Sequence, residues 1–137
     1  MRRLVVLPFV SLLLVSCLSV EKTGARVSQI LIGSALNARE EITEEKTDFA
    51  ASQRTLYAHV FLEGHTGSVV VTGAWWYVPR EQKIFETTAT VTPEFPVAKF
   101  SLSNNRGDWP VGDYRFTVDA AGEQLGEKVI TVAREEK

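Results

Sequence analysis

Cysteine is nearly absent: the sequence of 137 residues contains a single one, Cys17, close to the amino terminus. One thiol excludes an internal disulfide framework, and it also excludes a structural zinc site made of several thiolates. Any folded domain in this chain must therefore be stabilised by packing and hydrogen bonds rather than by covalent cross-links.

Histidine is scarce too, since His59 and His65 are the only two. No group of carboxylates accompanies them in the sequence, so the pair is a poor basis for a metal site. The Gly-x-Ser-x-Gly sequence of a nucleophile elbow and the glycine-rich phosphate loop are both absent. Without a visible set of acid, base and nucleophile, we expect a protein that is not an enzyme and that uses no metal.

A long hydrophobic run is missing as well. The most apolar stretch, residues 4–18, is shorter than the roughly 20 residues that a membrane-spanning helix needs, and Pro8 and Ser16 interrupt it. Two arginines, Arg2 and Arg3, precede the stretch. A basic tip, a short apolar segment and small residues after it are typical of a secretory signal peptide, which we assign to residues 1–16.

The end of that segment, Leu14-Val15-Ser16-Cys17, resembles the lipobox of bacterial lipoproteins. The resemblance implies cleavage before Cys17, a diacylglycerol in thioether linkage on its sulfur and an acyl chain on the new amino terminus, with no other cofactor. Several acyl chains hold a protein stably on a membrane. Leu18 follows the cysteine where an aspartate would favour the inner membrane, so the resemblance implies the outer membrane if the source has two. The alternative is ordinary cleavage after Ser19 and a soluble exported product.

The length and charge of the chain after removal of the signal peptide limit its possible partners. Removal of residues 1–16 leaves 121 residues and takes the formal net charge from −2 to −4, because the segment carries two arginines and no acidic residue. A mildly acidic chain argues against nucleic acid as a partner and against electrostatic attraction to anionic lipid. We assign residues 17–25 to a short polar tether that carries the lipid, and residues 26–134 to one domain.

The domain consists of short β-rich segments at intervals of roughly ten residues, and none of them has a strong helical pattern. In TLYAHVFLEG the apolar residues alternate from Leu56 to Leu62, which predicts one core-facing side. The run SVVVTGAWWYV predicts a central strand with both faces covered, and KIFETTATVTP predicts a strand whose side from Phe85 to Val91 faces the core. The charged stretch REEITEEKTDF is expected to be an exposed loop. About seven such strands predict an all-β antiparallel sandwich.

The sequence DWPVGDYRFTV is the sharpest motif of the domain. It resembles the immunoglobulin strand in which a tyrosine stands two residues before the second core cysteine, with Tyr114 as the tyrosine and Phe116 in place of the cysteine. Trp-Pro-x-Gly-x-Tyr also resembles a group of uncharacterised bacterial exported immunoglobulin-like domains. The resemblance implies an immunoglobulin-like or fibronectin III-like sandwich with structural roles for Trp109, Pro110, Gly112 and Tyr114.

Three adjacent aromatic residues, Trp75, Trp76 and Tyr77, are the candidate binding residues. Neighbours on a strand point to opposite faces, so either Trp76 or its two neighbours must point outward. Either of Trp75 and Trp76 matches the buried tryptophan of immunoglobulin domains. An outward tryptophan is a platform for a ligand or a partner, unless residues 26–54 cover it.

Two functions follow from these observations. The first is a lipid-anchored, exported module that is not an enzyme and that binds another protein of the cell envelope through strand edges or loops. The second is a lipoprotein that binds a small ligand or a glycan on the exposed aromatic platform.

Overall fold

The computed structural model describes residues 23–135, so the expected signal peptide and the expected lipidation site at Cys17 lie outside the described residues. A single turn of 3-10 helix, Val78–Arg80, follows the fourth strand. No helix within residues 23–135 is long and apolar enough to cross a membrane. The strands are β1 (Arg26–Gly33), β2 (Asp48–Ala50), β3 (Thr55–Glu63), β4 (Val69–Tyr77), β5 (Gln82–Val91), β6 (Val97–Ser103), β7 (Gly112–Ala120) and β8 (Glu123–Ala133).

These strands form two sheets, one with the order β1-β3-β6 and the other with the order β2-β8-β7-β4-β5. Neighbouring strands are antiparallel except β2 and β8, which run parallel. The arrangement confirms the predicted immunoglobulin-like sandwich. It has eight strands in place of about seven because β2, with three residues, is too short to show an alternating pattern.

The core between the sheets is built from alternate residues of each strand, as the alternation in β3 predicts. Trp75, which is fully buried, packs on Phe116 with ring centroids 4.7 Å apart. Phe100 of the opposite sheet lies 5.5 Å from the same Phe116 ring. Gly73 makes room for this contact, because a Cβ at that position would lie 2.7 Å from the Phe100 ring. Aromatic packing therefore joins the two sheets across the core.

The prediction that both faces of β4 are covered is wrong for the outer face. β4 does lie between β7 and β5. Residues 23–135 form only two layers, however, and Val70 on the outer face is 57% exposed. The continuous apolar run predicted a strand covered on both faces. Here one face of the run is in the core, and the other presents Val70, Thr72 and Trp76 at the outer surface.

The prediction identifies the face of β5 that points to the core, but it overestimates how much of that face is buried. Phe85 lies opposite the buried Trp75, and directly paired residues point to the same face. Along this face Val91 is buried, Ala89 is half-buried and Phe85 is 45% exposed. Burial along this face falls with distance from the turn at residues 92–96, which joins β5 to β6, so the end of β5 at Phe85 is open to solvent.

The charged segment between β1 and β2, residues 34–47, is a loop without regular structure, as predicted. Ile42 is its one buried residue, and it lies against Gly33 at the end of β1. The Lys46 N–H donates to the carbonyl of Ile32 at 2.9 Å, and Glu45 forms an ion pair with Lys128 of β8. The loop therefore packs on β1 and β8.

The two ends of the sandwich are formed by different segments of the chain. At the N-terminal end the chain enters at Gly24, which packs on Gly64, and the turn between β5 and β6 is attached by a hydrogen bond of 2.9 Å from Leu62 to Pro96. Ala25, the last residue of the expected tether, is already buried there. At the opposite end, the corner end, residues 77–82 meet residues 104–112.

Candidate functional site

Tyr114, at the start of β7, forms a hydrogen-bonded corner at this second end. Its ring is buried, and its hydroxyl donates to the carbonyl of Pro110 at 2.7 Å, which is the geometry of a tyrosine corner. Gly112 lies between them with φ of 142°, and a Cβ there would lie 3.0 Å from the Pro79 side chain. Only glycine combines this backbone conformation with so close an approach.

Trp109 attaches the loop before β7 to the rest of the sandwich. Its backbone N–H donates to the carbonyl of Ala51 at 2.8 Å, and its indole N–H donates to the carbonyl of Gln53. Its ring meets Tyr114 edge-on, with centroids 6.2 Å apart. Trp109 thus ties the β6–β7 connection to the β2–β3 connection.

Burial, with a smaller effect from the neighbouring Tyr77, raises the pKa of Tyr114 from 10.0 to about 12. The buried hydroxyl is therefore protonated at neutral pH and remains the donor in its bond to Pro110. Its role is structural, because a donor committed to a backbone carbonyl is not free to titrate or to transfer a proton in the neutral range.

The corner end contains a cavity of about 280 Å³ in which three aromatic residues meet. The Tyr77 ring lies 5.2 Å from that of Tyr114, and its hydroxyl donates to the carbonyl of Val111 at 2.8 Å. Ile84 is the extra residue of a bulge, because β5 pairs Phe85 with Trp75 and Lys83 with Trp76. The lining consists of Tyr77, Arg80, Gln82, Ile84, Asn104, Trp109, Pro110 and Tyr114.

The other two aromatic candidates lie apart from this cavity. Trp75 is in the core, and its indole nitrogen is buried without a hydrogen-bond partner. Trp76 points to the outer face of the five-stranded sheet, where its indole N–H donates to the Thr117 hydroxyl at 3.2 Å. Lys83 and Arg115 lie over its ring, with their charged atoms 5.1 and 5.5 Å from the centroid.

Trp76 is thus partly covered, but by cations from β5 and β7 and not by residues 26–54, whose loop packs on β1 and β8. A cation over an aromatic face is attracted by the ring quadrupole. An incoming ligand would have to displace two such contacts. Of the three candidates, only Tyr77 belongs to a concave surface.

A second concave surface was not visible in the sequence. It is a groove of about 470 Å³ between β5 and β6, the outer strands of the two sheets on one side of the sandwich. Within residues 23–135, β5 pairs only with β4 and β6 pairs only with β3, so each strand presents an unpaired backbone edge. The groove is lined by Phe85, Thr87, Thr88, Lys99, Phe100, Ser101, Leu102 and Ser103.

The two histidines lie at different places. His59 is buried in β3, and burial lowers its pKa, with Lys99 lowering it further. His65 is buried in the β3–β4 hairpin, and neither of its ring nitrogens has a hydrogen-bond partner. Residues 23–135 contain no group of three His, Cys, Asp or Glu side chains arranged to hold a metal ion.

No protein-family model matches the sequence, and no curated protein matches it either. Among solved structures, the fold is similar to an immunoglobulin-like protein from Pseudomonas aeruginosa, with a TM-score of 0.56, 18% identity, and coverage of 80% of this chain and 96% of that one. It is also similar to the alkylpurine DNA glycosylase AlkC of Pseudomonas fluorescens bound to DNA containing an abasic site analogue, with a TM-score of 0.51, 16% identity, and coverage of 83% of this chain.

The match to the glycosylase spans 31% of that enzyme, so this chain corresponds to a part of it. Both sequence identities are low, so these structural similarities show the fold alone. The same fold carries many functions, so the similarity names neither an activity nor a partner.

Replacing Tyr114 with phenylalanine removes the bond to Pro110 while keeping the ring. We expect the free energy of unfolding to fall by roughly 1–3 kcal/mol at neutral pH, as for a buried hydrogen bond. Because the folded pKa is raised to about 12, unfolded tyrosine ionises first. The contribution is therefore complete below about pH 10 and is lost between about pH 10 and about pH 12.

Urea unfolding of the native and Tyr114→Phe proteins across this pH range measures both effects. The difference in stability between them should shrink as the pH rises through the window. Tyr57→Phe is a matched control at a half-buried tyrosine of β3 and should leave that pH dependence in place. A Tyr114→Phe protein as stable as the native one at neutral pH would contradict the structural role of the corner.

Proposed function

We propose that this protein is an exported, lipid-anchored module that binds another protein of the cell envelope and is not an enzyme. Cys17 carries the anchor, and the groove between β5 and β6 is the binding surface. The outer membrane is the location if the source has two membranes. The observation that carries the proposal is the pair of unpaired strand edges that flank the exposed Phe85.

The anchor is compatible with where the sandwich begins. Cys17 precedes Thr23, the first described residue, by six positions, and the core includes Ala25. A lipid at Cys17 is thus separated from the core by a few residues of tether. Modification of Cys17 leaves the packing of the sandwich untouched.

The groove has the chemistry of strand addition. An extended segment placed along β6 would pair with its free backbone edge and would add a fourth strand to the three-stranded sheet. Alternate side chains of that segment would point toward Phe85 and would cover the inner face of β5 that the native sheet leaves open. Backbone pairing provides affinity, and the apolar contact with Phe85 provides selectivity.

Replacing Phe85 with lysine tests the groove. The side chain is 45% exposed, so the fold should survive, whereas a cation placed in the groove opposes an apolar segment. Val129→Lys is the matched control, because Val129 is 48% exposed on β8, outside the groove. A photo-crosslinking amino acid at Ser101, activated on intact membranes, measures occupation.

We expect one defined adduct at position 101 in the native protein and in Val129→Lys, and at least a tenfold loss of that adduct in Phe85→Lys. The same crosslinker at Val129 should give no such adduct. Equal adducts at both positions, or an adduct unaffected by lysine at 85, would show that the groove is not the binding surface.

A second function, binding of a small ligand, is favoured by the corner cavity. Tyr77, Trp109 and Ile84 form apolar walls, and Arg80 and Asn104 provide a cation and an amide. Sites for small molecules commonly combine aromatic walls with a few polar groups. The chemistry suits a ring that carries a carboxylate, either an aromatic acid or an acidic sugar.

Benzoate and glucuronate are suitable probes for this cavity, and the Trp109 indole N–H signal in a nitrogen–proton NMR spectrum is the reporter. We expect one of the two to shift this signal, and Ile84→Trp to abolish the shift by filling the cavity. Val111→Trp, at an exposed position nearby, is the control that should preserve it. No shift with either probe at millimolar concentration would remove this candidate.

Replacing Cys17 with alanine tests the anchor. The protein should lose its attachment to membranes and keep the same urea midpoint, because position 17 precedes the sandwich. Mass spectrometry of the native protein should show an amino-terminal Cys17 with added acyl mass. An unmodified mature terminus beyond residue 17 would contradict the lipid anchor and would leave the sandwich as a soluble exported protein.

A further inference from the structure

Phe95 is the most exposed of the large apolar side chains in the described chain, at 79%. It lies in the turn between β5 and β6. The other strongly exposed apolar side chains lie on strand faces or at the corner end, whereas Phe95 projects from a tip. A single exposed apolar side chain is common on a protein surface, but one at the tip of a turn is free to contact a flat partner surface.

The turn holds Phe95 in a fixed outward position. The Thr92 N–H donates to the Phe95 carbonyl at 3.3 Å, and the Phe95 N–H donates to the Thr92 hydroxyl at 3.1 Å. Pro93 and Pro96 fix two further φ angles. The Pro96 carbonyl accepts from the Leu62 N–H, which ties the turn to β3. Because the backbone is already ordered, binding through Phe95 has a small entropic cost.

This turn lies at the N-terminal end of the sandwich, where the chain enters. Gly24 packs on Gly64, and Leu62 on the same strand end bonds to Pro96. Thr23 lies six positions after Cys17. Six extended residues span at most about 22 Å. A lipid on Cys17 therefore keeps the end that carries Phe95 within that distance of a membrane surface.

We propose that the N-terminal end docks on the bilayer that carries the lipid anchor, with the Phe95 ring inserted among the headgroups. The inference rests on the proposed anchoring at Cys17. A single ring binds a membrane weakly on its own, but the anchor makes the contact intramolecular and raises the effective concentration. Docking fixes the orientation of the sandwich, so that the corner end points away from the membrane.

The negative charge of the N-terminal end determines which lipid headgroups it can contact favourably. Glu63, Glu94 and Glu123 lie there, against Arg26, which pairs with Glu63. An acidic surface is repelled by anionic lipid. The contact therefore suits a zwitterionic headgroup such as phosphatidylethanolamine, and it weakens as the fraction of anionic lipid rises.

Fluorescence quenching by a nitroxide on the lipid headgroup measures the contact, because such quenching acts over a short distance. The lipid-modified full chain has no free thiol, so Thr66→Cys in the exposed β3–β4 hairpin provides one labelling site at the N-terminal end. Asn105→Cys provides the same at the corner end. The vesicles consist of phosphatidylethanolamine and phosphatidylcholine, and flotation with these vesicles measures attachment separately.

We expect the label at 66 to be quenched at least threefold more than the label at 105. Phe95→Ser should reduce quenching at 66 at least twofold without changing flotation, whereas Val111→Ser, at an exposed apolar residue of the corner end, should change neither. Addition of phosphatidylglycerol at low salt should reduce quenching at 66.

The outcomes distinguish a failure of the docking proposal from a failure of the anchoring proposal. If the protein floats with vesicles but labels at 66 and 105 are quenched equally, or if Phe95→Ser has no effect, the docking is wrong and the anchor stands. If the lipid-modified protein does not float, the proposed anchoring has failed, and with it the docking that rests on it.

Discussion

A cluster of aromatic rings joins the two sheets, and the surface of the protein is open where that packing stops. The aromatic contact of Trp75 and Phe116 with Phe100 holds the sheets together in their middle. Toward the outer strands β5 and β6 this packing stops, and a groove of about 470 Å³ lies between them. The ring of Phe85 lines this groove and is 45% exposed.

The corner end and the aromatic core hold the two sheets together in a domain that contains no cysteine. In the immunoglobulin pattern a cysteine pair ties the two sheets together; here Phe116 contributes ring area at that position. Tyr114 and Trp109 add hydrogen bonds to the carbonyls of Pro110 and Gln53, which fix the loop before β7 to the sandwich. The same rings form the wall of a cavity, so residues that close the fold also line a concave aromatic surface.

The sequence predicts what is local and periodic in this protein. Alternation in β3 identifies its core face, and the spacing of Trp109, Gly112 and Tyr114 identifies the corner, because each pattern lies within one segment. β2 is too short to show a period. The groove lies between strands of two different sheets, and the cations over Trp76 come from two neighbouring strands, one of which is bulged. Such features arise between segments, and a local pattern does not contain them.

The N-terminal end, the corner end and the side with the groove carry different features. The direction of β1 determines which of these features lie near the point where the chain enters the sandwich. Because β1 begins beside Gly64, the covalent link to the tether and the rigid turn with Phe95 share one end. The corner cavity lies at the other end, and the groove runs along the side between them. A chain held at its N-terminal end thus keeps both concave surfaces clear of its own attachment, since neither includes a residue before β4. With the proposed anchor at Cys17, the groove and the corner cavity both stay accessible to a neighbouring protein or a ligand.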